Sequence, residues 1–145
     1  MSKNTSVKIL TTALILLSPL KVYAQSEDKC LATMVYMEAR GQSDKGKKDV
    51  VDVMFNRLRH QAFPKTICGN INKKGQYPWA SKKNSIKDTD EYNSIHSAVS
   101  EQYKLYKLGF WKDGTNGAIY FNSSGRKPTP KSKLLFKRQG HNFYI

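Results

Sequence analysis

The chain has 145 residues, 39% apolar and 11% aromatic, enough for a hydrophobic core and too apolar for a disordered polymer. It carries 25 basic and 11 acidic residues, a formal net charge of +14. That balance points to polyanionic surroundings: nucleic acid, an acidic membrane face or an anionic cell-wall polymer.

Residues 1–24 read as an export signal. Lys3 and Lys8 form a positive start, Ile9 to Leu20 an apolar run of 12 residues, and Val22-Tyr23-Ala24 a small-residue cleavage site. The run is short of the about 20 residues that a bilayer span needs, so cleavage after Ala24 is expected rather than retention as an anchor. One domain over residues 25–145 should remain, in the periplasm or outside the cell, with a net charge of +11 once three lysines are removed. Export makes nucleic acid the weakest of the three partners, and no nucleic-acid-binding module is recognisable. Cys30 and Cys68 both lie in the exported part. They suit one disulfide worth about 3–4 kcal/mol or two buried thiols, and the spacing does not choose between them.

Glu27 to Arg40 has Cys30, Leu31, Met34, Val35 and Met37 mostly at helical spacing, with Glu27 and Asp28 in the first turn and Gly41 as a stop. Glu38 then sits at the negative end of a helix, where a carboxyl tends toward a raised pKa, as a general acid requires. Taken alone, an ordinary surface glutamate is the commoner reading. Ser43 caps a second helix, Gly46 to His60, whose apolar stripe is Val50, Val53, Met54 and Leu58, widened by Val51 and Phe55. Asp49 and Asp52 fall on its polar side. Asn56 and Arg57 either orient a substrate or the glutamate, or Arg57 is a solvated cation complementing the helix dipole. His60 reads as a surface residue.

Phe63 to Gly69 reads as a loop with a short extended or helical piece. In Lys73 to Ala80, Gln76, Tyr77 and Trp79 place an amide beside two aromatic rings, a common way to hold sugars and an equally common way to plug a core edge. Lys82 to Lys87 is a polar, basic loop. Asp88 and Glu91 form a capping box for a third helix, with Tyr92, Ile95, Val99, Tyr103 and Tyr106 on its packing face and Gly109 at its end. Gly114 to Gly117 is a turn, and Ala118–Asn122, Leu134–Phe136 and His141–Ile145 read as strands. Helices followed by strands predict an α+β domain, with a small antiparallel β portion after the helices.

The chemistry narrows by residue type. His60, His96 and His141 lack the spacing of a zinc site, no nucleophile elbow or phosphate loop is present, and no cofactor is expected. Carboxylate chemistry remains. With few acids near Glu38, a single-carboxylate mechanism is attractive, in which the substrate's own N-acetyl or C6 hydroxyl group replaces a second carboxylate.

Met34 to Gly41, then Gly46, Val50 to Arg57, Phe63 to Cys68 and Gly75-Gln76-Tyr77, in this order and spacing, resemble the SleB/CwlJ-type cell wall hydrolases. Ala118 to Asn122 and Gly140 to Tyr144 resemble that family's closing strands, so the likeness spans about residues 30–145. The resemblance implies a lysozyme- or lytic-transglycosylase-like domain acting on peptidoglycan glycan strands, with Glu38 as catalytic acid and base. It implies cleavage between N-acetylmuramic acid and N-acetylglucosamine with a 1,6-anhydro product. Gln76, Tyr77, Trp79, Asn56, Arg57 and His141 are the candidates for lining or supporting the groove. Many members read Glu-Ala-Arg-Gly-Glu where this chain has Gln42, which is read as a positioning residue that glutamine can replace. A bacterial wall-remodelling enzyme or a phage endolysin, acting as a monomer, would fit. The alternatives are an N-acetylmuramoyl-L-alanine amidase and a non-enzymatic cationic protein that binds an anionic wall or membrane.

Overall fold

Helix α1 (Glu27–Ala39) carries Cys30, Leu31, Ala32, Met34, Val35, Tyr36 and Ala39, all buried, so its apolar surface extends well around the helix and needs covering on several sides. In the computed structural model, which describes residues 26–82 and 86–145, helices α2 (Asp44–Arg59), α3 (Ile67–Asn72) and α4 (Thr89–Lys107) supply that cover. The expected export segment and part of the Lys82–Lys87 loop lie outside the described residues. Each fully buried Leu, Val or Met contributes roughly 1.5–3 kcal/mol, and Leu31, Met34 and Val35 are at 0% exposure.

Each later helix starts on a side-chain cap. Ser43 accepts from the Gly46 amide at 3.4 Å, Thr66 from Gly69 at 3.0 Å and Asp88 from Glu91 at 2.9 Å. The first turn of α3 has a second acceptor, because the Glu27 carboxylate takes the Ile67 and Cys68 amides. Beside it a Cys30–Cys68 disulfide joins α1 to α3, with the Cα atoms 5.4 Å apart. A short 3₁₀ turn (Pro78–Ser81) follows the loop after α3. Helix α4 ends in a Schellman motif: the Gly109 amide bonds Tyr106 at 3.1 Å, the Phe110 amide bonds Leu105 at 2.9 Å, and Gly109 takes φ +79°.

Three strands complete the α+β fold: β1 (Tyr120–Asn122), β2 (Leu134–Arg138) and β3 (His141–Tyr144), in antiparallel order β1-β3-β2. The first strand is shorter than expected, starting at Tyr120, although the Ile119 amide still bonds the Tyr144 carbonyl at 3.0 Å. Gln139 and Gly140, at φ 48° and 78°, make the two-residue turn between β2 and β3, a pair of left-handed residues that matches the strand twist. Phe143 pairs in register with Phe121 on one side and Phe136 on the other, and with Ala118 it covers Val53 of α2.

Helix α2 is therefore sandwiched, and this overturns one expectation. Asp49 and Asp52 are both at 0% exposure, not on a solvated face. The side of α2 that looks polar in sequence is turned toward the chain after α4. Arg138 Nη1 donates to both oxygens of Asp49 at 2.8 and 2.9 Å. Asp52 accepts from Lys48, from the Trp111 indole at 2.8 Å and from the Gly114 amide at 2.9 Å.

Candidate active site

Glu38 lies in the last turn of α1, half-buried, with its Oε1 accepting a hydrogen bond of 2.5 Å from the Trp79 indole N–H. Its other carboxyl oxygen takes no hydrogen bond from a described residue. Burial pushes the Glu38 pKa up, against the smaller opposing pull of the Trp79 hydrogen bond and the positive charge of Arg57. The indole is a neutral donor, so it holds the carboxyl in place without supplying the countercharge that would force it to ionise. Desolvation thus outweighs the anchor and favours the protonated carboxyl, the form from which a general acid starts.

Behind the carboxyl is a buried cation. Arg57 is 4% exposed, so the solvated helix-end reading is wrong. Its position three residues after Met54 and four after Val53 puts it on the buried face of α2, a signal present in the sequence. The guanidinium donates to the Ile119 carbonyl at 2.7 Å and the Tyr77 hydroxyl at 2.9 Å, and lies against the rings of Phe63, Tyr77 and Tyr120. It reaches Glu38 through its field and makes no ion pair with it among the described residues. Tyr77 in turn donates to the Met34 sulfur at 3.3 Å, one turn of α1 before Glu38.

The other groove candidates divide by exposure. Tyr77, at 5%, offers no face to a sugar and is a strut between α1, α2 and the 3₁₀ turn. Asn56 is spent on structure, donating to Thr115 Oγ1 and the Ala118 carbonyl, both at 3.1 Å. His141 is 8% exposed, packs on the Phe121 ring and meets the Gln42 amide, with Gln42 Nε2 3.1 Å from His141 Nδ1. Burial lowers the His141 pKa, the direction that favours a neutral ring. Gln42, where the family pattern has glutamate, is therefore placed against the β hairpin. Gly46 makes room for it: a Cβ there would sit 2.5 Å from Gln42 Oε1 and 2.7 Å from Gln139 Oε1. Trp79, Gln76 and Asn56 are the part-exposed candidates, and the Asn56 amide is already engaged. A cavity of about 260 Å³ opens on the loop after α3, lined by Ile71, Lys74, Tyr77 and Pro78 but by neither Glu38 nor Trp79.

What sequence reasoning missed is the role of Trp79. The residues left it open between a sugar platform and a core plug, and its half-buried indole also donates to Glu38, a contact across 41 residues that leaves no local pattern.

The family model described as Cell Wall Hydrolase matches residues 41–144, and the chain belongs to that family of α+β domains. The matched span opens three residues after Glu38 and does not include it. Among individual proteins, the chain is 28% identical over 100 residues to a spore cortex-lytic enzyme of Oceanobacillus iheyensis, covering 69% of this chain and 34% of that one. It is 26% identical over 116 residues to a spore cortex-lytic enzyme of Bacillus cereus, covering 80% and 40%. The chain thus spans roughly a third to two fifths of the length of these curated relatives. The crystal structure of the catalytic domain of the Bacillus cereus SleB protein superposes with a TM-score of 0.60 at 20% identity, covering 86% of this chain and 94% of that one, a likeness of fold.

Proposed function

We propose that the chain degrades peptidoglycan by cleaving the glycan strand between N-acetylmuramic acid and N-acetylglucosamine, as a lytic transglycosylase with Glu38 as the single acid and base. The protonated Glu38 gives its proton to the glycosidic oxygen as the bond to the muramic C1 breaks. The resulting carboxylate then removes the proton of the muramic C6 hydroxyl as O6 bonds to C1, which returns Glu38 to its starting state and leaves a 1,6-anhydro end. No water is consumed.

One observation carries this reading: Glu38 is desolvated and held by a neutral donor, while of the acids that follow it in sequence Asp44 stands exposed in the first turn of α2 and Asp49 and Asp52 are taken up by Arg138, Lys48 and Trp111. The family membership and the names of the relatives support the substrate class.

The test is mass spectrometry of muropeptides released from purified peptidoglycan. Anhydro-muramyl ends that disappear in Glu38→Gln are the expected result. Reducing ends would replace the internal attack by hydrolysis, and free stem peptides would replace the whole reading by an amidase.

A further inference from the structure

The end of α4 carries an apolar knob in a basic setting that the proposed reaction does not use. Leu105, Leu108 and Phe110 are 38%, 59% and 71% exposed, three of the five large hydrophobic side chains left in water among the described residues. Lys104, Lys107 and Lys112 are interleaved with them and exposed, and no acid occurs between Glu101 and Asp113. Lysines in a last helical turn complement the helix dipole. That accounts for Lys104 and Lys107, but not for Lys112 or for aromatic and aliphatic side chains standing in solvent.

The knob is held rigidly. The Schellman turn at Gly109 fixes the backbone of Phe110. In such turns the residue after the glycine usually packs on the one four positions before that glycine, yet here that pair, Phe110 and Leu105, faces outward. The next residue, Trp111, is locked inward by its bond to Asp52 and by edge contacts with Phe55 and Tyr106 at 5.5 and 5.6 Å. Arg59 lies over the Trp111 ring at 5.9 Å, and Arg59, Tyr106, Gly109 and Trp111 border a recess of about 320 Å³ beside the knob.

We propose that this tip of α4 docks on an anionic phospholipid membrane, with Leu108 and Phe110 entering the interface and Lys104, Lys107, Lys112 and Arg59 facing the lipid phosphates. Charge complementarity selects this occupant. A second copy would bring one basic rim against another, and a polar wall polymer or soluble polyanion would satisfy the cations but leave Phe110 in water. An anionic bilayer is the surface that meets both needs.

The proposal is independent of Glu38 and is tested on the full chain by flotation with vesicles of phosphatidylglycerol and phosphatidylcholine in equal parts, against phosphatidylcholine alone. The expected result is binding to the anionic vesicles that weakens with salt and falls by roughly tenfold or more in L108S/F110S, whose side chains are mostly in solvent. F110W gives a reading local to the knob: its added emission should shift to the blue and be quenched by brominated anionic lipid. Equal binding by wild type and L108S/F110S would overturn the proposal, as would F110W emission unmoved by vesicles. Binding lost in K104E/K107E/K112E but unchanged in L108S/F110S would assign the face to a soluble polyanion and overturn it too.

Discussion

Asp52 and Glu38 are both acids drawn out of water, and the chain surrounds them in opposite ways. Asp52 is given a lysine ammonium, an indole N–H and a backbone amide, and its charge is matched from every side. Glu38 is given one indole N–H and a buried arginine that stays at a distance, so desolvation prevails and its pKa rises. In the proposed reaction the difference separates a structural carboxylate from a reactive one. A group that must exchange a proton is left short of partners, and a group that must hold two segments together is not.

The comparison can be broken from either side. Glu38→Gln should lower glycan cleavage by roughly 10²–10⁴ or more, the scale of a general acid, when release of muropeptides is assayed. Its thermal midpoint at neutral pH should not fall. A carboxyl whose folded pKa lies above its unfolded value costs stability as pH rises through that range, and the amide escapes this. Asp52→Ala should do the reverse. It should lose about 3 kcal/mol in urea unfolding, because the Trp111 and Gly114 donors are stranded, while the molecules that remain folded still cleave.

Trp79→Phe sharpens the contrast. The indole bond lowers the Glu38 pKa, so its loss should move the alkaline limb of the pH–activity profile upward. A downward move would mean that the indole stabilises the protonated form. The smallest effect belongs to His141. Its folded pKa is depressed by burial, so it contributes stability that is present above pH about 6.5 and is lost as pH falls below that value. A His141→Asn variant should show a flatter dependence of the unfolding midpoint on pH between about 6.5 and 5.

Much of this was legible. Caps at Ser43 and Asp88, the stop at Gly109, the α+β order and the placing of Glu38 in a last helical turn all follow from local chemistry that a few neighbouring residues express. Asp49, Asp52, Asn56 and Arg57 were harder. A helix with a polar side is normally assumed to show it to water, but α2 shows it to residues 111–138, whose donors and carbonyls meet it. Arg57 stood on the apolar stripe and was readable. Lys45 and Lys48, four residues before Asp49 and Asp52, were readable too, but the partners of those acids 89 and 59 residues away were not, because no local spacing encodes which distant cation or indole arrives. Trp79 escaped for the same reason.

The polar seam of α2 also bears on the order in which the molecule is made. Asp49, Asp52, Asn56 and Arg57 leave the ribosome long before Trp111, Gly114, Thr115, Ile119 and Arg138 exist to receive them, so the helical half cannot settle its buried charges on its own. Folding should therefore wait for the final strands, and a chain ending before Arg138 is expected to be cleaved by protease faster than the full chain.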